Sequence, residues 1–538
     1  MKNNKNNAIH RGATGFAVAS LAIAIAASST QDVQAGERLS FDNGATIDWT
    51  LTTSYGIGTR LENADSRLLN GQANGDDGNR NFERNALTTN RVTALGEIIL
   101  RKDNYGAVLR GSTFYDDVYH SQNDNNSPRT VNKTGAHDEF TSDAKKFSGG
   151  RSRFLDAYVF GDFDLHDNQR LGIKAGRHVV AWGEGLFYPG VNGVQGPVNV
   201  VNAGQPGVEV KDILLPVGQV SANWEINPDF GLSAYVQYEW KGNELNPVGS
   251  FLSTSDVTGP GAEFLYVPVA PGFSVKAANM GDNEPRDSGQ YGLRAMYRPT
   301  LTTELGFFHV RYHDRNPAGI TLGGFGLSPI SPRLPTNYTV EYIEDIKLTG
   351  MSFSTSVGNT QVGGEWSYRS GAPITLANNQ LSTGSGQQMQ LSFIRALGDM
   401  PWAQSTTLIG EVVHVRADDV DKVGNNKDYT YRTATTWQSK TATAYTLQAV
   451  LSYPGIFSGW DLSVPVNWSH VVEGNTPLKG TISAGQGDKR MSVGATFKYL
   501  GNLELNTTYV GYLYTPDPTR NRMLGDRDYL TFSAKYSF

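Results

Sequence analysis

The most constraining feature of this chain is an alternation of apolar and polar residues that recurs in long segments. Ile47, Trp49, Leu51 and Tyr55 share one side of the first segment; Asp48, Thr50, Thr52 and Ser54 share the other. Leu232 to Trp240, Tyr445 to Tyr453 and Met491 to Tyr499 repeat the pattern. Period two means β-strand, because successive side chains point to opposite faces. A soluble sandwich has the same period, so length must separate the two. Many segments run roughly 10 to 14 residues, against about 5 or 6 for a globular strand and about 9 to 11 for a tilted strand crossing a membrane.

The connections alternate as well. Short ones fall at Asp103-Asn104, His166 to Asn168, Asn227 to Asp229, Pro299-Thr300, Gly358-Asn359, Gly398 to Gln404, Pro454 to Gly459 and Gly501-Asn502. Long ones lie near 62–90, 119–152, 183–211, 243–287, 315–344, 371–389, 418–440, 474–487 and 515–527. Outer-membrane barrels pair tight periplasmic turns with long outside loops in this way. The expected fold is all-β: a transmembrane antiparallel up-and-down β-barrel of the outer membrane, of about 18 strands, with 16 as the alternative. The final segment sharpens this. Leu530, Phe532, Ala534, Tyr536 and Phe538 form one apolar face that ends on the terminal residue. Left open in a soluble protein, such an edge would aggregate. Tyr536 and Phe538 are therefore the expected signal for the barrel assembly machinery.

Composition removes competing classes. The 538 residues include no Cys, which excludes disulfides, zinc-thiolate sites and a Cys-linked lipid anchor. A net charge of −6 argues against nucleic acid as a partner. The one long apolar run, Phe16 to Ala27, has 12 residues, too few for a membrane-spanning helix. With Lys2, Lys5 and Arg11 before it and Val33-Gln34-Ala35 after it, the run reads as a secretory leader cleaved between Ala35 and Gly36. The expected organisation is a signal peptide over 1–35 and one barrel domain over 36–538, exported to the cell outer membrane.

On the strands, apolar faces should meet lipid and lipopolysaccharide. Trp49, Trp240, Tyr297, Tyr312, Trp366, Tyr453, Trp468 and Tyr536 are expected in the two aromatic girdles. The opposite faces carry both signs of charge, among them Glu97, Arg110, Asp116, Asp156, Lys174, Glu239, Arg294, Glu365, Arg369, Glu411, Lys498, Glu504 and Lys535. No single-sign ladder points to an ion-selective pore. Residues 183–211 are rich in Gly and Pro yet carry Leu186, Phe187, Tyr188, Val191, Val194 and Val198. An outside loop this apolar is costly to leave in water, so it is expected to fold into the lumen and constrict it. Asp156, Arg177, Trp182 and Glu184 are the expected anchoring cluster, with Glu97 and Arg110 on the wall and Phe187 and Tyr188 on the loop. The loop 243–287 is a second candidate through Phe251, Leu252, Phe264, Leu265 and Tyr266.

Enzymatic signatures are missing: no nucleophile elbow, HExxH, Walker loop or Rossmann fingerprint occurs. His309 and His313, with Arg311 between them, read as a lumen-facing basic row rather than a metal site. Asp76-Asp77 in NGDDGN and Asp124 among Asn123 to Asn126 have a calcium-loop composition without the spaced Glu of an EF loop, so solvated turns are expected. No cofactor and no metal are expected, and a Ser-His hydrolase site would have to be assembled in three dimensions.

Several runs carry a family resemblance: NGDDGNRNFER (74–84), DNYGAVLRGSTFYD (103–116), RFLDAYVFGDFDL (153–165), GRHVVAWGE (176–184), PGVEVKDILLP (206–216) and VQYEWKGNELNPVGSFLSTSD (236–256). They resemble a proteobacterial outer-membrane family carried under a domain-of-unknown-function heading, along nearly the whole chain after the leader. His178 and Ala181 stand where that family usually has Gln and Asn, so no role tied to those two positions carries over. The resemblance implies a non-enzymatic part in moving lipid-like or other hydrophobic molecules across the envelope. It also implies a periplasmic partner and an RND-type inner-membrane exporter. A stand-alone porin for small, partly hydrophobic solutes and a structural or surface-recognition barrel are the alternatives.

Overall fold

The computed structural model describes residues 36, 38–166, 169–326, 334–376, 380–430 and 437–538. Residues 1–35, the expected leader, lie outside them. Eighteen strands follow one another around a single sheet. They are β1 (Thr46–Arg60), β2 (Leu87–Lys102), β3 (Tyr105–Asp116), β4 (Gly150–Asp164), β5 (Arg170–His178) and β6 (Val217–Glu225). Next come β7 (Phe230–Gln237), β8 (Gln290–Thr300), β9 (Thr303–Tyr312), β10 (Ile346–Val357), β11 (Thr360–Thr375) and β12 (Leu381–Met400). The last are β13 (Ala403–Val420), β14 (Thr441–Phe457), β15 (Trp460–Glu473), β16 (Lys489–Tyr499), β17 (Leu503–Tyr512) and β18 (Tyr529–Ser537). Each pairs antiparallel with its neighbours, and β1 closes on β18 from Thr52↔Ser537 to Arg60↔Tyr529. A two-residue strand, Leu39–Ser40, adds to the start of β1. Closure leaves no open sheet edge, which is what a strand protein needs in a medium without water to pair its backbone.

The side chains are sorted inside out relative to a soluble protein. Val92, Phe154, Val236, Leu293, Met351 and Leu391 are exposed, while Arg91, Arg110, Gln237, Arg369, Gln388 and Glu411 are buried. Period-two alternation around a closed barrel puts the first set on the outer wall and the second on the inner one. Two expected girdle residues do not stand there. Trp240 lies beyond the end of β7, buried, with Nε1–H donating to Asp314 O at 3.2 Å and its ring against Tyr342. Tyr312 is buried among apolar loop and wall residues. The polar tip of Trp240 thus finds its partner in a loop.

Short turns alternate with long loops as read, with one correction; Asp167 and Asn168 of the expected turn at His166 to Asn168 lie outside the described residues. Residues 371–389 are not a long loop. β11 runs on to Thr375 and β12 starts at Leu381. Gly371 sits on a bulge between Ser370 and Ala372, at φ +72°. Beyond the bulge, Ile374 is buried and bridges to Leu478. Apolar burial against the neighbouring loop keeps the ribbon extended past the membrane.

The outside loops pack into a cap. Loop 238–289 and loop 313–345 build a second, four-stranded sheet from Phe264–Ala270, Phe273–Asn283, Asn337–Glu341 and Gly319–Gly323. Leu265, Ala277, Tyr338 and Val340 form its core. Phe251 joins Phe82, Tyr119 and Phe140 from the first two outside loops, 61–86 and 117–149. The apolar residues that made 243–287 a second constriction candidate are therefore spent on loop-to-loop packing.

At the opposite end, Phe538 N–H donates to Leu51 O at 2.9 Å and the Phe538 ring meets Tyr536 edge-on at 4.7 Å. Both rings are exposed. Deleting Phe538 is expected to lower the heat-modifiable, membrane-assembled fraction severalfold in gels of cell envelopes. An unchanged assembled fraction would remove this residue from any assembly signal.

Candidate functional site

Loop 179–216, between β5 and β6, holds most of the expected site residues. Much of it has no regular structure, so its N–H groups need other acceptors. Two inner-wall carboxylates supply them. Glu411 on β13 accepts from Leu186 N (3.2 Å), Phe187 N (2.6 Å) and Tyr188 N (2.9 Å). Glu365 on β11 accepts from Glu184 N (3.1 Å) and Val191 N (2.6 Å). Charged acceptors make the stronger kind of hydrogen bond. Gly190 is required for the approach, because a Cβ there would strike the Glu365 carboxylate. Gly183 at φ +108° turns the chain in a region other residues avoid.

Amides complete the frame. Gln195 Oε1 accepts from Trp182 N at 2.7 Å, and its Nε2 donates to Trp182 O (3.2 Å) and Val191 O (3.1 Å). Asn192 Nδ2 donates to Gly185 O at 2.8 Å, and Gln388 Nε2 from β12 donates to Pro189 O at 2.8 Å. Thr446 on β14 donates to the Tyr188 hydroxyl at 3.0 Å. Burial pushes that hydroxyl's pKa up to about 12. Burial, and then repulsion from Glu304, raise the Glu184 carboxyl above its usual value.

The far half of the loop touches a different part of the wall. Arg91 on β2 donates to Asn202 Oδ1 at 3.0 Å. Pro206 lies against Gly56 of β1, and Gly207 lies beside Ser54 and Ser533 of β1 and β18. Lys535 on β18 stands 3.5 Å from Glu209 and 3.3 Å from Glu504. Burial alone would raise the Glu209 carboxyl, but Lys211 and Lys535 together hold it below its usual value.

The expected anchoring cluster is dispersed. Asp156 pairs with Arg110, which faces Glu97 across the β2–β3 register. Arg177 instead reaches Glu239 at 3.4 Å. Trp182 is buried, bound to Gln195 and packed on Tyr235 at 5.0 Å. Glu184, Phe187 and Tyr188 sit on the loop as expected, but their anchors are Glu365 and Glu411. Those two were legible as inner-face charges and not as the loop's partners. Gln195, Asn192 and Gln388 gave no signal in the sequence. The acidic pair Asp76 and Asp77, expected as solvated turns, is buried under the loop cap. His309 and His313 do not form one row: His309 Nδ1 meets Thr349, while His313 uses Nε2 on Ser288 O and Nδ1 on Asp345 N. His178 Nε2 lies 2.8 Å from Ser221 Oγ, but its Nδ1 faces Gly176 O and no carboxylate completes a triad.

A closed, even-numbered antiparallel barrel with an apolar outer wall, a charged inner wall and long loops at one end defines a transmembrane β-barrel of the outer-membrane type. The chain belongs to the family described as Protein of unknown function (DUF1302), whose model matches residues 15–538. No curated protein matches the sequence. Among solved structures, the chain is similar to OccAB4 of Acinetobacter baumannii at 7% identity and TM-score 0.45, covering 94% of this chain and 100% of that one. It is also similar to the outer-membrane channel DcaP of Acinetobacter baumannii (10%, TM-score 0.37, covering 94% and 100%). A third is the outer-membrane protein opdK of Pseudomonas aeruginosa (11%, TM-score 0.39, covering 92% and 98%).

Proposed function

We propose that this protein is a non-enzymatic transport barrel of the outer membrane whose lumen is constricted by residues 183–211. We further propose that it is the outer component of a trans-envelope system for lipid-like or other hydrophobic molecules. The observation that carries the constriction is the span of the loop's contacts. Residues 184–191 hang on the inner wall at β11 to β14, while residues 202–209 rest on β1, β2 and β18. A chain segment bound to inner faces on separate sides of the barrel runs between them through the interior. An 18-stranded barrel without such a segment has room for an aqueous channel.

The cargo class is supported by what the loop leaves uncovered. Leu186 and Phe187 remain 45% and 36% exposed although their backbones are pinned. Apolar groups held at a constriction offer a passing hydrophobic solute a contact that an ion does not use. Several inner-wall charges are paired, as in Arg110–Asp156, Arg294–Glu304 and Lys535–Glu504, which suits a braced wall better than an ion-selective one.

The test is affinity purification from cross-linked, mildly solubilised envelopes, with mass spectrometry of what co-purifies. Recovery of an RND-type inner-membrane exporter and a periplasmic bridging protein is expected. Recovery of lipopolysaccharide and assembly machinery alone would reject the trans-envelope role and leave the stand-alone porin.

A further inference from the structure

We propose that the loop cap contains a calcium site formed by Asp76, Asp77 and Asp256, with the side-chain oxygen of Asn132 as a further ligand. Asp76 and Asp77 come from loop 61–86, Asn132 from loop 117–149 and Asp256 from loop 238–289. The inference is independent of what the barrel transports. One oxygen from each of the three carboxylates lies within 4.8 Å of the others. Oxygens sharing a calcium shell at about 2.3–2.6 Å from the ion can be no more than about 5 Å apart.

Burial makes the arrangement unusual. The three aspartates are 0%, 1% and 1% exposed. Each spends Oδ2 on one protein donor: Arg80 Nε to Asp76 at 2.5 Å, Asn132 N to Asp77 at 3.3 Å, Asp77 N to Asp256 at 3.1 Å. Each keeps a buried Oδ1 with no donor. Asn132 points the same way independently. It is 0% exposed, its amide nitrogen is used on Asn74 Oδ1 and Phe264 O at 2.9 Å each, and its Oδ1 has no partner. Asn132 is joined to Asp77 through its backbone N–H, so four buried oxygens of one connected group lack donors, and buried oxygens without donors are rare in native proteins.

The surrounding cations do not answer this need. Arg80 forms an ion pair with Asp76 and with neither of the other two. Lys133 donates to Ala136 O, and the Arg527 guanidinium is bound to Asn79 and to the carbonyls of Phe251 and Ser253. The Thr130 hydroxyl and the Asp76 backbone N–H add hydrogen bonding at Asp76 but no positive charge. Desolvation first, and mutual repulsion next, raise both the Asp77 and Asp256 carboxyls. Buried like charges of this kind are relieved by a proton or by a cation. The donor set is all oxygen, with no His or Cys, which selects a hard cation of the calcium type. Bound there, the ion would tie three outside loops together at one point.

The test uses the full barrel in detergent, stripped with EDTA and titrated with calcium chloride by calorimetry. Trypsin protection of loops 61–86 and 117–149 gives a second readout. One site per chain is expected, with a dissociation constant of about 10⁻⁴ M or tighter, together with slower cleavage of both loops. Asp256→Asn should weaken binding about tenfold or more, while Glu139→Gln, an exposed acid on loop 117–149, should not. Heat-modifiable migration verifies that each variant is folded. No calcium uptake by the wild type would overturn the site and leave protons as the counter-charge. Equal uptake by wild type and a folded Asp256→Asn would overturn it too, assigning the ion to residual lipopolysaccharide phosphate.

Discussion

Replacing Glu411 by alanine is expected to release the loop and make the envelope leaky. Glu411 accepts three consecutive backbone N–H groups, from Leu186, Phe187 and Tyr188. Hydrogen bonds to a charged group contribute about 1.5–3 kcal/mol each. Some of the loss is recovered when water reaches the freed groups, so a net change on the order of 3 kcal/mol is a reasonable central value. That is about a hundredfold shift between seated and unseated loop. The readout is sensitivity of whole cells to large antibiotics that an intact outer membrane excludes. Glu411→Gln keeps the carbonyl acceptor without the charge and should be intermediate. Sensitivity equal to the wild type in a folded Glu411→Ala barrel would mean the three bonds do not hold the loop.

The second large effect falls on the cap. Arg527 and Arg60 are both 0% exposed, and together they fasten three outside loops. Arg527 donates to Asn79 Oδ1 at 2.6 Å and to the carbonyls of Phe251 and Ser253. Arg60 donates to Asn79 O (2.9 Å), Phe82 O (2.6 Å) and Asp526 O (2.9 Å), with the Asp526 carboxylate at 3.2 Å. Burial pulls the Arg527 pKa down to about 10, so the guanidinium stays charged at neutral pH. Removing one member of a buried charge network costs about 3–5 kcal/mol. Arg527→Ala should therefore loosen loops 61–86 and 238–289 while the barrel keeps its heat-modifiable fold. Hydrogen exchange of those loops should rise strongly. Arg527→Lys should fail to rescue, since one ammonium cannot reach three acceptors that a planar fork spans. Unchanged exchange in Arg527→Ala would show that the apolar contacts of Phe82, Tyr119, Phe140 and Phe251 hold the cap alone.

How much of this was legible in the sequence follows from the range of each interaction. The strands could be read because alternation is local and survives without any knowledge of neighbours. Closure could be read from the terminal strand, whose apolar face ending on Phe538 needs a partner. The extension of β11 and β12 could not. Its cause is Ile374 meeting Leu478, a contact spanning about a hundred residues that no local pattern announces. The apolar loop 183–211 stood out by composition, but its anchors did not. Glu365 and Glu411 are two among many inner-face acids, and only the approach of unpaired N–H groups distinguishes them. Asp156 and Arg177 were grouped because they sit around the strand that feeds the apolar loop, where a charge needs a partner. The register instead pairs Arg177 with Ala157, and each charge finds a different partner. Asp76 and Asp77 looked like turn residues because NGDDGN is a turn sequence. Asp256 and Asn132, which share their burial, come from two other loops.

The central claim is that residues 183–211 constrict the lumen. Single-channel conductance in planar bilayers tests it most directly, comparing the wild-type barrel with a variant whose residues 184–205 are replaced by a short Gly-Ser linker. The wild type should be nearly silent, and the variant should show the large, steady openings of a wide water-filled barrel. A wild type that already conducts as freely as the variant would contradict the claim, whatever partners are recovered with it.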